Sequence, residues 1–115
     1  MLDWVSYREQ LLGKLGDLGA LSPDTLAGYN AISSAGAKMS KLDSKTRELI
    51  SLAVAVTTRC DGCISFHAGN AITHGASREE LAEALGVAVA MNAGAALVYS
   101  ARALDAFDSL SSGQG

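Results

Sequence analysis

Residues 60–67, Cys-Asp-Gly-Cys-Ile-Ser-Phe-His, contain both cysteines of this 115-residue chain and one of its two histidines. Residues three or four apart on a helix are neighbours, so a helical conformation places Cys60, Cys63 and His67 on one face. Two thiols beside a group that exchanges protons near neutral pH suit a redox centre or a metal centre. This segment is therefore the first candidate for a functional site.

The composition of the chain limits what can surround that segment. The length predicts a single domain over residues 1–115. Hydrophobic residues make up 49% of the chain but aromatic residues only 5%, so much of the apolar content is alanine. Each alanine buries little area, and we therefore expect the chain to complete its core by self-association. The net charge of −3 and the absence of a basic stripe argue against nucleic acid as a partner.

The N-terminal residues and the apolar segments suggest a location. The first residues show no positively charged region followed by a long apolar stretch, as a signal peptide would. The apolar run Leu85–Tyr99 is shorter than the roughly 20 residues of a membrane-spanning helix. We therefore expect a cytoplasmic protein with no membrane partner. Disulfides in the cytoplasm are usually transient and catalytic.

Helix start and stop signals predict an all-α fold, a compact bundle of about six helices. Ser22 followed by Pro23 is a start signal, and Asp43 is a candidate cap. Ser77 and Glu80 have the spacing of a capping box. Asn92 and Gly94 predict a break in the last apolar region. The expected helices are residues 3–15, 22 to about 39, 44–57, 60–74, 77–92 and 95–107, followed by a flexible tail at 109–115.

Glu48 is the last charged residue before the run 49–56, which is apolar on nearly every side and is expected to be buried. Composition alone favours an exposed Glu48 that pairs with Lys45. The alternative is that Glu48 faces the cysteine helix and orients His67, as carboxylates orient catalytic imidazoles.

Three interpretations of the cysteine cluster stay open on the residues alone. A redox pair is favoured, because one thiol can resolve a sulfenic acid or mixed disulfide on the other. A zinc site would use Cys60, Cys63 and His67 with His74 or Glu48 as a fourth ligand. Structural zinc sites usually draw ligand pairs from two segments, and a second pair is missing. The cysteines could also be small core residues. We expect no cofactor and no metal ion.

Glu48 together with residues 60–67 resembles the signature of the alkylhydroperoxidase D-like group within the carboxymuconolactone decarboxylase family. That signature is a glutamate twelve residues before Cys-x-x-Cys-x-x-x-His, and the spacing from Glu48 to Cys60 matches it. Residues 77–85 are similar to the family's next helix, and the resemblance covers about residues 20–107. It implies an all-helical fold that assembles as homo-oligomers, either trimers or hexamers.

The resemblance also implies a peroxiredoxin-type activity, the thiol-dependent reduction of hydroperoxides. Cys63 would be the peroxidatic thiol, and Cys60 the resolving thiol that an external dithiol reductant attacks. His67, oriented by Glu48, would relay the proton. Well-characterised peroxidase members carry a second histidine where this chain has Gly62, so a general disulfide reductase is a second candidate. Decarboxylase members lack the cysteine pair, which argues against a lactone decarboxylase.

Overall fold

The computed structural model describes residues 1–113, and every regular element in that range is helical. The all-α prediction is therefore confirmed. The five helices are α1 (Trp4–Leu21), α2 (Pro23–Met39), α3 (Ser44–Thr58), α4 (Asp61–Thr73) and α5 (Arg78–Ser111).

The helices begin where the sequence signals place them. Pro23 is the first residue of α2, where its missing N–H costs nothing. The side chain of Asp43 accepts a hydrogen bond of 2.7 Å from the backbone N–H of Thr46 at the start of α3. Ser77 and Glu80 form the predicted capping box, with reciprocal bonds of 3.0 and 2.9 Å. These caps satisfy amides that have no partner within the helix.

The last helix differs from the prediction, because α5 continues through Asn92 and Gly94 without a break. The amide nitrogen of Asn92 donates to the carbonyl oxygen of Ala88 at 2.7 Å and to the hydroxyl of Thr57 at 2.9 Å. Asn92 therefore ties α5 to α3 instead of ending the helix. The chain has five helices in the described range where about six were expected.

The helix ends also differ in two places. Residues 109–111 are helical where a flexible tail was expected, and residues 114–115 lie outside the described range. Helix α1 continues past the expected end at Leu15, through Gly16 and Gly19. A Cβ at residue 19 would lie only 2.5 Å from Cδ2 of Leu26, so Gly19 lets α2 approach α1 closely.

Helix α3 is central, because it packs against both α4 and α5, while α1 packs against α2 and α4. The buried hydrophobic residues in the described range all lie on α3, α4 and α5, and three of the four are alanines. They are Leu52, Ala55, Ala71 and Ala88. The expectation that the whole run 49–56 is buried is wrong, since Ile50, Val54 and Val56 are exposed. Within one chain α4 and α5 are the main helices that cover α3.

A single chain leaves an unusual amount of apolar surface uncovered. Its accessible surface is 8721 Å², roughly 2,800 Å² more than a compact monomer of this mass exposes. Its radius of gyration is 19.4 Å, against about 13 Å for a compact domain of this length. Helix α2 has no buried residue, and residues 95–111, here called distal α5, are all exposed. The large exposed side chains of these two segments include Tyr29, Ile32, Met39, Leu97, Val98, Leu104 and Phe107.

Helix α5 is also long and apolar enough to cross a membrane, with a mean hydropathy of 1.7 over an 18-residue window. It is longer than the apolar run that the sequence alone isolates. One such helix is weak evidence for a membrane span, because long apolar helices also form the cores and contact surfaces of soluble proteins.

Candidate redox site

The two cysteines lie at a sharp junction between α3 and α4. Arg59 ends α3 with φ 55° and ψ 50°, the left-handed conformation that commonly terminates helices. The N–H of Cys60 then donates to the carbonyl oxygen of Ala55 at 3.0 Å. Cys60 is the N-cap of α4, and Cys63 lies in the first turn of that helix. The expected helix over the cysteine segment is therefore present.

The sulfurs of Cys60 and Cys63 are joined in a disulfide, with their Cα atoms 5.3 Å apart, so the structure is the oxidised form. Sγ of Cys60 also accepts a hydrogen bond of 3.2 Å from the backbone N–H of Cys63. The first amides of a helix are otherwise unpaired, and the helix dipole adds positive potential at that end. After reduction, these groups favour a thiolate over a thiol at this position.

His67, one turn further along α4, meets Glu48 of α3. Nδ1 of His67 lies 2.6 Å from Oε2 of Glu48, and the side chains are 28% and 16% exposed. When the neutral imidazole donates from Nδ1 to the carboxylate, Nε2 is left with a free lone pair that can take up a proton. The contact is the one that the functional interpretation of Glu48 predicts.

The competing interpretation of Glu48, a pair with Lys45, is wrong. The Lys45 ammonium instead lies 2.7 Å from Oε2 of Glu80 at the start of α5. This ion pair connects α3 to α5, whereas the cysteines lie at the start of α4. Glu48 is thereby left to the imidazole of His67.

Helix α1 covers one side of the cysteine turn, and no signal in the sequence predicts this contact. A Cβ at residue 62 would lie 2.7 Å from Cδ2 of Leu11 and 3.9 Å from the hydroxyl of Tyr7. Two turns further along α4, a Cβ at Gly69 would lie 2.6 Å from Nη1 of Arg8. A side chain at residue 62 would therefore require Leu11 to move. Spacing along α1 does not reveal which helix it meets, so Tyr7 and Leu11 could not be found from the sequence.

The zinc alternative needs several ligands around one point. Across residues 1–113, no three or more His, Cys, Asp and Glu side chains are grouped to hold a metal ion. His74 is the exposed C-cap residue of α4, at the other end of that helix from Cys60. This helix-end position is the one on which the predicted structural role of His74 rests, and that role stays a prediction. The cysteines are bonded to each other and Glu48 to His67.

Comparisons with known proteins agree with the fold. Residues 23–106 match the model of the carboxymuconolactone decarboxylase family. An uncharacterised protein of Haemophilus influenzae is 51% identical over 105 residues, which are 91% of this chain and 93% of the relative. An uncharacterised protein of Cupriavidus necator is 35% identical over 97 residues, 84% of this chain and 86% of the relative.

A solved structure is similar as well. The crystal structure of an apo carboxymuconolactone decarboxylase family protein from Legionella pneumophila matches with a TM-score of 0.73 at 38% identity. The match covers 91% of this chain and 94% of that one. The family model begins at the first residue of α2, so it includes Gly62 but not α1, the helix that contacts Gly62.

Proposed function

The chain belongs to the carboxymuconolactone decarboxylase family, and we propose that it is a thiol-dependent oxidoreductase that reduces hydroperoxides. Cys60 and Cys63 would alternate between dithiol and disulfide. One observation carries the proposal: Glu48 holds His67 at 2.6 Å, one turn beyond the disulfide on the same helix. A proton-exchanging group is thus fixed beside two sulfurs at a helix N-terminus.

The first step oxidises Cys63. Its thiolate attacks the terminal oxygen of the hydroperoxide, and the O–O bond breaks as the S–O bond forms. The sulfur becomes a sulfenic acid, and the alkoxide that leaves takes a proton to become the alcohol. His67 lies four residues after Cys63, the spacing of neighbours on one helical face, and it supplies that proton from its imidazolium form.

The second step closes the disulfide. The thiolate of Cys60 attacks the sulfenic sulfur of Cys63, the S–O bond breaks, and the hydroxide leaves as water after taking a proton. Support comes from the N–H of Cys63, which points at Sγ of Cys60. That hydrogen bond stabilises negative charge on the attacking sulfur.

The third step returns the enzyme to the dithiol. A thiolate of an external dithiol attacks Cys60, which releases Cys63 and forms a mixed disulfide. The second thiol of the reductant then displaces Cys60 and leaves as the oxidised, cyclic disulfide. Over the cycle, one hydroperoxide and one dithiol give one alcohol, one water and one disulfide. We place the protein in the cytoplasm, where dithiol reductants maintain such pairs.

A second candidate function is a general disulfide reductase. The observation that favours it is Gly62, since the position directly before Cys63 has no side chain that could pass a proton to a peroxide. Such a protein would use only the thiol exchange of the third step, run against disulfide substrates. The same cysteines would be essential, and only the oxidant would differ.

We further propose that the working unit is a homo-oligomer, a trimer or a hexamer as the family resemblance implies. The support is the excess of exposed surface and the uncovered apolar side chains of α2 and distal α5. An excess of roughly 2,800 Å² per chain falls in the range of obligate subunit contacts.

The test is hydroperoxide consumption with dithiothreitol as the electron donor. We expect Cys63→Ser to lower the rate by about 10³-fold or more, because the nucleophile is lost, and Cys60→Ser to lower turnover strongly. One equivalent of peroxide should remove both free thiols of the reduced parent. Ser109→Ala, an exposed change on α5, is the control.

Three outcomes separate the candidates. Parental rates in both cysteine variants would contradict any thiol mechanism. If the thiols do not react with peroxide but rapidly reduce added disulfides, the protein is a disulfide reductase and not a peroxidase. Lactone decarboxylation that survives the loss of both thiols would return the protein to the decarboxylase branch of the family.

A further inference from the structure

A groove between the end of α3 and the middle of α5 lies next to the cysteine turn and has no role in the chemistry above. Its volume is about 530 Å³, within the range of about 300–1,000 Å³ that small-molecule sites occupy. Its walls are mainly apolar and include Val56, Ala88, Val89 and Ala93.

The polar groups of this α3–α5 groove differ in what they can still bind. The amide nitrogen of Asn92 already donates to Ala88 and Thr57, so its hydrogens are used within the protein. Arg59 also lines the groove. Among the described ion pairs, none joins Arg59 to a carboxylate. The groove therefore combines an apolar trough with one guanidinium that is available to an anion.

The backbone of Arg59 supports a role for its side chain. Arg59 has φ 55°, in the left-handed region that glycine adopts without strain and that residues with a Cβ disfavour. Arg59 is the residue that ends α3 two positions before α4 begins, so its side chain starts at the junction that holds the cysteines. Arg59 also directly precedes Cys60, so the two Cα atoms are about 3.8 Å apart.

We propose that the α3–α5 groove binds an organic carboxylate, with its apolar chain along the walls and its carboxylate on Arg59. The choice of ligand follows from charge complementarity, because a guanidinium pairs with a planar carboxylate through two parallel hydrogen bonds. Where this ligand is the substrate, which rests on the proposed function, the substrate class is a hydroperoxide that carries a carboxylate, such as a fatty-acid hydroperoxide.

The first test measures binding without turnover. Octanoate is titrated into the oxidised 115-residue protein and followed by amide chemical shifts around residues 56–59 and 88–93. We expect Arg59→Gln to weaken octanoate binding about fivefold, and Arg59→Lys to retain part of it. Arg59→Gly should weaken binding equally while raising the unfolding midpoint, a combination that a merely structural role would not give. Arg78→Gln, an exposed arginine at the start of α5, is the matched control.

The second test compares linoleic acid hydroperoxide with its methyl ester, which has the same chain without the charge. The parent should have a several-fold higher kcat/KM for the acid, and Arg59→Gln should remove this preference while it leaves the ester unchanged. Octanoate binding that depends on Arg59 in a protein without peroxidase activity would support the groove and contradict the enzyme. Equal turnover of acid and ester, with no octanoate binding, would support the enzyme and overturn the groove proposal.

One alternative occupant gives a distinct result. If a second copy of the chain fills the groove, octanoate will not bind to the assembled protein, and Val89→Trp will weaken self-association instead of blocking octanoate. Either that pair of results or parental octanoate affinity in Arg59→Gln overturns the proposal.

Discussion

The α3–α4 pair and distal α5 differ in how much a single chain completes by itself. In the α3–α4 pair, Leu52 and Ala55 are only 3% and 2% exposed, and the side chain of Glu48 is bonded to His67. In distal α5, no residue is buried, and Phe107 is 69% exposed. The redox geometry therefore forms within one chain, whereas one chain leaves the apolar surface of distal α5 uncovered.

The largest expected effect is on the self-contained region. Glu48→Gln removes the charge that orients and supports the imidazolium of His67, and we expect kcat/KM for a hydroperoxide to fall about 100-fold. Stopped-flow consumption of hydroperoxide measures it. Glu83→Gln, an exposed acid on α5, is the control. Sedimentation should show the same assembly as the parent, since Glu48 lies within one chain.

A parental rate in Glu48→Gln would contradict the role of the Glu48–His67 contact in the redox geometry of the α3–α4 pair. It would mean that the 2.6 Å contact only joins two helices and takes no part in proton transfer. A change of assembly in the same variant would show that the redox geometry depends on a neighbouring chain.

The sequence predicts the parts of this molecule that depend on local chemistry. The caps at Asp43 and Ser77 could be predicted because a cap involves residues three positions apart. The predicted break at Asn92 is wrong because the side-chain amide of Asn92 donates a hydrogen bond to Thr57, 35 positions away. Local helix propensity contains no information about so distant a partner. Tertiary contacts override intrinsic preferences in this way.

The site shows the same division between local and distant information. Cys60, Cys63 and His67 share a face because of helical spacing, which the sequence contains. The approach of Leu11 to Gly62 joins residues 51 positions apart on two separate helices, and only the packed fold shows it. The glycine that weakens the family pattern thus has a packing reason that the motif alone could not supply.

The second expected effect concerns the uncovered region. Leu104→Glu combined with Phe107→Glu places two charges one turn apart on distal α5. Burying a Leu or Phe side chain contributes about 1.5–3 kcal/mol, so we expect the association constant to fall at least about tenfold. Sedimentation velocity measures it, with Ser109→Glu as the control at an already polar position.

The thermal midpoint provides the check on that result. If assembly completes the core, the midpoint of the parent should rise with protein concentration, and that of the double variant should be lower. A parent that sediments as a folded monomer, with a midpoint independent of concentration, would contradict the assembly and with it the contrast between the two regions.

The smallest expected effect lies at the opposite end of α5 from distal α5, at the ion pair of Lys45 on α3 and Glu80 at the start of α5. The hydrogen bond from Lys45 is the main cause that holds the pKa of Glu80 below its ordinary value, with the Ser77 amide second. A carboxyl with a lowered pKa stabilises the fold above the ordinary glutamate pKa, and this contribution disappears as the pH falls through the folded value. Lys45→Gln should therefore lower stability at neutral pH and match the parent in acid.

Both side chains of this pair are more than a third exposed, so salt should screen most of the effect. Urea unfolding at neutral and acidic pH, at low and high salt, measures it. Lys14→Gln is the control, because Lys14 pairs with Asp17 on the exposed side of α1. A deficit that persists in acid would show that Lys45 acts through the packing of its aliphatic chain. The ion pair would then not fix α5 against α3, and the position of α5, including distal α5, would depend on Asn92 and the apolar contacts alone.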